Sequence, residues 1–491
     1  MQTILEAPVQ LGVDPMGTFK LLRQLGVDRV RVFMSWASLA PRATARVPPS
    51  HFNAASPGAY PAAAWAPYDA IVRAGATAGV GVDLNITAPP PLWASGSGAP
   101  PGVPRPQWRP SAREFGLFVK AVAKRYSGAY KPGSSAALPR VSFWSIWNEP
   151  NYGPQLAPQA INHSTVEVSP ALYRQLVDAA WSALHETGHG GDTILIGEIA
   201  PRGLTTGDNP GNFSGMVPLR FVRALYCVDQ SFHVLQGVAA AERGCPDSAA
   251  ASKQFARQNP ALFKASGFAV HPYPQSGPPT VTDPTQPDYA DFPKLPKLEA
   301  TLDRVNRIYG SNTQFPLYST EYGYKTNPPY VAGVDPKQAA AYLNQAEYLS
   351  WLNPRIASWD QYLLADPAVG NFATGLEFLN NKPKPFVYDA FRMPVYLPTA
   401  SADKGQSLEV WGCVRPAHFT GLDKGRTTVV QIQFKQSGAG SYKTIKPVTV
   451  DDADGYFDTR VTPPASGTLQ LSWAYPGGPT IHSRPVSVTV H

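Results

Sequence analysis

Cysteine is scarce: three residues in 491. That excludes a disulfide-dense scaffold and the paired-cysteine spacing of zinc modules. Cys227 and Cys245 are near enough in sequence to close one loop, with Cys413 left over; one disulfide and three thiols both fit. Charge is scarce too, at 16% of residues, and the net charge of +7 is spread without a Lys/Arg-dense run, so no nucleic-acid partner is expected. No apolar run reaches the roughly 18 residues that a membrane-spanning helix needs. The opening MQTILEAPVQ has neither the basic nor the apolar stretch of a secretion signal. The first apolar segment is not followed by a glycine-rich phosphate turn, which counts against a doubly wound dinucleotide fold.

What the chain does have is proline (52) and glycine (41) without a collagen period, a composition of many rigid loops. Helix punctuation is clean. Asp14-Pro15 opens a segment with Phe19, Leu22 and Leu25 on one face, stopped by Gly26. Ser111 and Glu114 form a capping box ahead of Phe115, Phe118 and Val122; Ser169-Pro170 and Asp335-Pro336 open two more helices. Weaker helical patterns cover 67–78, 217–226 and 296–309. Between them lie eight short apolar runs: Thr3–Leu11, Val30–Trp36, Val80–Thr87, Val141–Trp147, Thr193–Ala200, Gly267–Tyr273, Pro316–Tyr324 and Ile356–Leu364. Near-continuous apolar runs are those of strands buried on both faces. Eight of them alternating with helices predict an α/β fold, a closed (β/α)8 barrel over residues 1–397. After that only short strands are read, with Asp454-Gly455 as a hairpin signal, and residues 398–491 are expected to form a β-sandwich domain.

In such a barrel the chemistry sits at the C-terminal strand ends. The polar and aromatic residues there are Arg31, Trp36, Asn85, Asn148, Glu149, Glu198, His271, Tyr273, Glu321, Trp359 and Gln361. Glu149 and Glu321 end strands nearly opposite each other. Two facing carboxylates suit glycoside hydrolysis, one protonating the leaving oxygen and the other attacking the anomeric carbon. Arg31 and the Tyr273 hydroxyl are expected donors to Glu321, and Asn148 an expected partner of the sugar 2-hydroxyl. Glu198, inside its strand, is expected to face other protein groups rather than substrate.

VSFWSIWNEPNYG (141–153) resembles the fourth-strand signature of glycoside hydrolase clan A, the "4/7" retaining glycosidases. LYSTEYGY (317–324) is similar to the clan's seventh-strand nucleophile segment. VRVFMSW (30–36) matches its second-strand arginine segment and HPY (271–273) its sixth-strand His-x-Tyr. The Trp-Asn-Glu-Pro-Asn form with a trailing β-sandwich is most similar to family 39 and related bacterial glycosidases. The resemblance implies Glu149 as acid/base, Glu321 as nucleophile, and Arg31, Trp36, Asn85, Asn148, His271, Tyr273, Trp359 and Gln361 around the substrate, with Trp359 flooring the sugar subsite. It also implies hydrolysis with retention through a covalent glycosyl-enzyme, a carbohydrate as the partner, and no cofactor. A monomer is expected, acting outside the cell or on its surface with any secretion signal removed. The alternative is a catalytically inactive carbohydrate-binding or surface protein on the same barrel.

Trp93, Trp108 and Tyr152 are further aromatics near strand ends or in loops that suit sugar stacking. No metal site is expected: His185 and His189 are four apart but fall at the end of a helix, and Asp451–Gly455 reads as a turn rather than a calcium loop. Asn162-His-Ser and Asn212-Phe-Ser match glycosylation sequons.

Overall fold

The computed structural model describes residues 1–161, 164–204, 215–274, 276–368 and 372–491. Both sequons, at Asn162 and Asn212, and His163 lie outside the described residues. Eight strands form first: β1 (Gln2–Leu5), β2 (Arg29–Ser35), β3 (Gly81–Thr87), β4 (Phe143–Ile146), β5 (Thr193–Ile199), β6 (Gly267–Val270), β7 (Leu317–Ser319) and β8 (Ile356–Gln361). They pair in sequence order, all parallel, and β1 closes on β8 through Gln2↔Ser358 to Leu5↔Gln361. This is the (β/α)8 barrel anticipated from the eight apolar runs.

The helices start and stop where side chains satisfy their ends. Asp14 accepts from the Gly17 amide and Pro15 opens the Pro15–Leu25 helix; Ser111 accepts from the Glu114 amide ahead of Ala112–Arg125; Asp335 accepts from the Lys337 amide ahead of Pro336–Leu352. Gly26 ends the first of these with φ +76°, and a Cβ there would stand 2.1 Å from the Arg415 carbonyl oxygen. Glycine is therefore needed both for the left-handed turn and for the approach of the C-terminal segment. The first strand is shorter than expected: it stops at Leu5, and Pro8–Val13 is helical because proline at the first turn gives up an amide that would be unpaired anyway.

The C-terminal strands are β9 (Val395–Tyr396), β10 (Ser401–Ala402), β11 (Leu408–Cys413), β12 (Thr428–Gln436), β13 (Lys443–Val450), β14 (Tyr456–Val461), β15 (Gly467–Ala474), β16 (Thr480–His482) and β17 (Val486–Val490). One sheet runs β10-β17-β15-β12-β13 with β16 beside β15, and the other β14-β11-β9. The hairpin expected at Asp454-Gly455 is not one. β13 pairs with β12 while β14 pairs with β11, so the turn carries the chain from one sheet to the other. Val410, Val430, Ile432, Leu469 and Leu471 fill the space between the sheets. Arg415 reaches out of this unit to the Glu347 carboxylate, the Thr3 hydroxyl and the Phe391 carbonyl of the barrel.

Cys227 and Cys245 are bonded, and Cys413 is a buried thiol. Among the described residues no helix is long and apolar enough to cross a membrane.

Candidate active site

Arg31, on β2, is fully buried inside the barrel. Its Nη1 donates to Glu6 (2.5 Å) and to Glu321 (2.9 Å); its Nη2 donates to Glu198 (2.7 Å) and to Asn148 (3.0 Å). One guanidinium thus fixes groups from the ends of β1, β4, β5 and β7. Planar, permanently charged and forked, it is the side chain suited to that task.

The turn after β4 presents Asn148 and Glu149. Trp147 and Glu149 adopt φ +70° and +43°, the left-handed region that non-glycine residues enter at a cost of about 1–3 kcal/mol. Three hydrogen bonds hold them there: Trp147 N–H to the Ile86 carbonyl (2.9 Å), Asn85 Nδ2 to the Trp147 carbonyl (2.5 Å) and Glu149 N–H to the Glu198 carbonyl (2.8 Å). Glu198 is aimed inward by an irregularity in β5, where the pairing shifts between Ile196 and Ile199 and Gly197 and Glu198 both take positive φ.

His271, just beyond β6, lies 3.1 Å through Nδ1 from Glu149 and 2.9 Å through Nε2 from Glu198. Burial opposes its charge, but Glu321, Glu149 and Glu198 outweigh it and raise the imidazole to about 10. It is therefore a cation at neutral pH and donates from both nitrogens. The Tyr273 hydroxyl donates to the second oxygen of Glu321 (3.0 Å). Burial lifts the Glu321 carboxyl above its ordinary range, against the pull of His271 and Arg31. Burial would lift Glu198 too, yet Arg31 and His271 hold it down to about 2. Glu6 goes the other way: desolvation outweighs Arg31 and raises it to about 8.

Glu149, His271 and Glu321 each bring one polar atom within 4.8 Å of the other two. The nearest Glu149 and Glu321 oxygens are thus no more than 4.8 Å apart. The Glu149 side chain is 20% exposed against 8% for Glu321, so Glu149 is the more accessible carboxylate. Above them opens a cleft of about 530 Å³, lined among others by Glu149, Tyr152, Arg202, Tyr273, Tyr324, Lys325, Tyr330 and Phe372. The same three groups have metal-ligand spacing, and each ring nitrogen of His271 already faces a carboxylate.

Of the expected residues, Arg31, Asn148, Glu149, His271, Tyr273 and Glu321 come together. Four do not face the cleft. Trp36 starts a short helix after β2 and is fully buried, stacked on Phe118 with ring centres 5.7 Å apart and edge-on to Trp93. Asn85 is buried and serves the β4 turn instead of a ligand. Trp359 points away from the barrel axis, because its neighbour Asp360 points in to accept from the Tyr322 amide (3.0 Å); the indole packs 4.8 Å from the Tyr322 ring. Gln361 donates to the Thr374 carbonyl (2.7 Å) and is buried. Of the other aromatics, Tyr152 lines the cleft and is 43% exposed, whereas Trp108 is buried.

Sequence reasoning passed over Glu6, Arg202, Lys325 and Tyr362. Glu6 carried a signal, as a carboxylate inside an apolar run. Tyr362 follows Gln361 and stands 5.9 Å, ring to ring, from Tyr273 and 5.6 Å from Phe372.

The sequence matches no protein-family model and no curated protein. Three solved structures are similar to it at low identity. A family 39 glycoside hydrolase from the gut symbiont Bacteroides cellulosilyticus WH2 shares 15% identity over 94% of this chain and 80% of that one, with a TM-score of 0.49. An endo-beta-1,4-mannanase from Thermotoga petrophila shares 11% over 100% and 97%, TM-score 0.42. A GH30 endoxylanase from Clostridium papyrosolvens C71 shares 10% over 94% and 93%, TM-score 0.44. At these identities the likeness is one of fold, and what the site does has to be argued from its own geometry.

Proposed function

We propose that this chain is a retaining glycoside hydrolase that cleaves an oligo- or polysaccharide. The observation that carries the reading is the pair Glu149 and Glu321, with oxygens within 4.8 Å of each other at the mouth of a closed barrel. In the first step Glu149 gives its proton to the glycosidic oxygen while a Glu321 oxygen attacks the anomeric carbon. The C–O bond breaks, the leaving sugar departs as an alcohol, and a glycosyl ester on Glu321 remains. In the second step Glu149, now a carboxylate, takes a proton from water. The water oxygen adds to the anomeric carbon, the ester bond breaks, and both carboxyls return to their starting states. The net change is hydrolysis with retained configuration.

The surrounding residues have distinct parts in this reading. Arg31 and Tyr273 each donate to one oxygen of Glu321, which supports its ionised form and orients it for attack. His271 orients Glu149. Asn148 uses Oδ1 on Arg31, and its Nδ2 group is the donor proposed for the sugar 2-hydroxyl. Tyr152 and Phe372, exposed on the cleft wall, supply faces for sugar rings. The C-terminal sheets support the barrel, which Arg415 ties to them through a buried ion pair. The protein is proposed to act as a monomer outside the cell, where polysaccharide is met.

A panel of aryl glycosides and soluble polysaccharides tests the proposal, with wild type beside Glu149→Gln and Glu321→Gln. Turnover that both variants lose by at least about 100-fold, with the first-formed anomer retained by NMR, is expected. An inverted product, or full activity in Glu321→Gln, refutes it. Calorimetric binding of a polysaccharide without turnover by wild type selects the alternative, an inactive carbohydrate binder.

A further inference from the structure

Two cations on the cleft wall have no part in the chemistry above. Arg202 follows β5 by three residues and Lys325 follows β7 by six, and both line the cleft into which Glu149 opens. Among the described residues neither forms an ion pair within 4.0 Å of a carboxylate. By contrast Arg31, Arg223, Arg355, Lys384 and Arg415 all do.

Both are nevertheless held in place. The Arg202 Nη2 donates to the Tyr273 carbonyl (2.7 Å), while its Nε is buried without a partner among the described residues. Asp291 attracts Arg202 from beyond ion-pair range but accepts from the Thr282 hydroxyl at 2.7 and 2.9 Å. The Lys325 ammonium lies over the Phe372 ring, 4.5 Å from its centre, and 5.3 Å from that of Tyr330. Aromatic faces steady a cation without neutralising it. The two charges also act on each other: burial lowers Lys325 and the nearby Arg202 lowers it further. Like charges kept close in a half-buried wall are costly, and an anion placed between them relieves that cost. Glu149 is the only carboxylate among the described lining residues, and it already faces His271.

We propose that the cleft takes a sugar residue bearing a negatively charged substituent, a carboxylate or a sulfate, gripped by Arg202 and Lys325. The proposal rests on the reading of the cleft as a carbohydrate site. Its placement follows from Tyr273, whose carbonyl accepts from Arg202 and whose hydroxyl donates to Glu321. The guanidinium is therefore one tyrosine's length from the nucleophile, so the charged substituent belongs to the sugar at the scissile bond or its immediate neighbour. A guanidinium beside an ammonium fits either anion: the fork takes two oxygens and the ammonium a third.

The test is calorimetry at low and high salt with three hexasaccharides: hyaluronan (carboxylate), carrageenan (sulfate) and cellohexaose (neutral). Wild type is compared with Lys325→Met, Arg202→Met and the charge-restoring Lys325→Arg, each first shown by urea unfolding to be folded. At least one anionic ligand is expected to bind wild type roughly tenfold or more tighter than cellohexaose, as a charge-assisted contact allows. That preference is expected to fall about tenfold in each methionine variant and to recover in Lys325→Arg. The arm that binds identifies carboxylate or sulfate. Anionic ligands that bind no tighter than cellohexaose, or a preference untouched in both methionine variants, overturn the proposal. Anionic binding without turnover keeps this inference and removes the hydrolase reading; turnover of neutral substrates with no anionic preference does the reverse.

Discussion

Replacing Glu198 by glutamine removes one negative charge from the centre of the site while keeping its shape. In the wild type this carboxylate is fully buried and accepts from Arg31 (2.7 Å), His271 (2.9 Å) and Thr320 (2.9 Å). Burial disfavours its charge, but Arg31 and His271 hold it at about 2 rather than 4.5, which corresponds to about 3 kcal/mol of stability at neutral pH. A depressed carboxyl contributes in full above its unfolded value and loses that contribution as pH falls from 4.5 toward 2. His271 is raised to about 10, and Glu198 is one of the three carboxylates that raise it. A raised imidazole contributes in full below 6.5 and loses that contribution as pH climbs toward 10. The stability difference between wild type and Glu198→Gln is therefore expected to be about 3 kcal/mol from roughly pH 5 through neutrality, to shrink as pH falls from 4.5 toward 2, and to shrink again as the folded imidazole loses its proton toward pH 10. Urea unfolding of the two proteins at pH 3, 6 and 9 reads it directly. A difference that is equal at all three pH values, or under about 1 kcal/mol at pH 6, refutes the account of how these charges are balanced.

Three other outcomes follow from the same structure. Arg415→Met strands the buried Glu347 carboxylate and should cost about 3–5 kcal/mol by urea unfolding, with earlier proteolytic cleavage around residues 393–408. Reducing the Cys227–Cys245 bond, which joins residues 18 apart, should lower stability by about 2–4 kcal/mol, read as a shift in the urea midpoint with and without reductant. Trp36→Phe should cost about 1–3 kcal/mol through lost packing on Phe118 and Trp93 yet leave KM for any cleaved substrate within about twofold; a large KM rise would return Trp36 to the substrate.

Why some of this was legible in the sequence and some not comes down to what each signal encodes. The eight barrel strands stood out because strands covered on both faces are apolar throughout, and the helices because Asp14, Ser111 and Asp335 announce their ends. The same apolarity hides which way each residue points. With no polar face to set the alternation, Trp359 and Asp360 read equally well as inward, and a one-residue step exchanges them. A buried acid needs a partner, and inside a barrel the partner is on the axis; on that ground Asp360 and Glu6 mark the inward register, and Trp359 must turn out. Trp36 misled for a different reason. β2 ends at Ser35, and the next residue already belongs to a short helix that swings the indole behind the barrel wall. The β5 irregularity that aims Glu198 left only Gly197 as a trace.

Arg31 and His271 stand among Glu6, Glu149, Glu198 and Glu321, and burial also raises Asp83, to about 7, and Asp360. A buried charge cluster is a poor way to gain stability, since well-packed apolar side chains of the same volume usually do as well or better. Burial of charge does not by itself mark a site, however. Arg415 and Glu347 are as deeply buried and as closely paired, but they lie where the barrel meets the C-terminal sheets. The difference is that the Arg31 and His271 cluster reaches solvent through Glu149, beneath a cleft with aromatic walls. Charges that serve only to join two units can be sealed off. Charges that must act on a ligand need one member at the surface and the rest beneath it, fixing its direction. Glu149 is the exposed member here, and Arg31, His271 and Glu198 are the ones beneath.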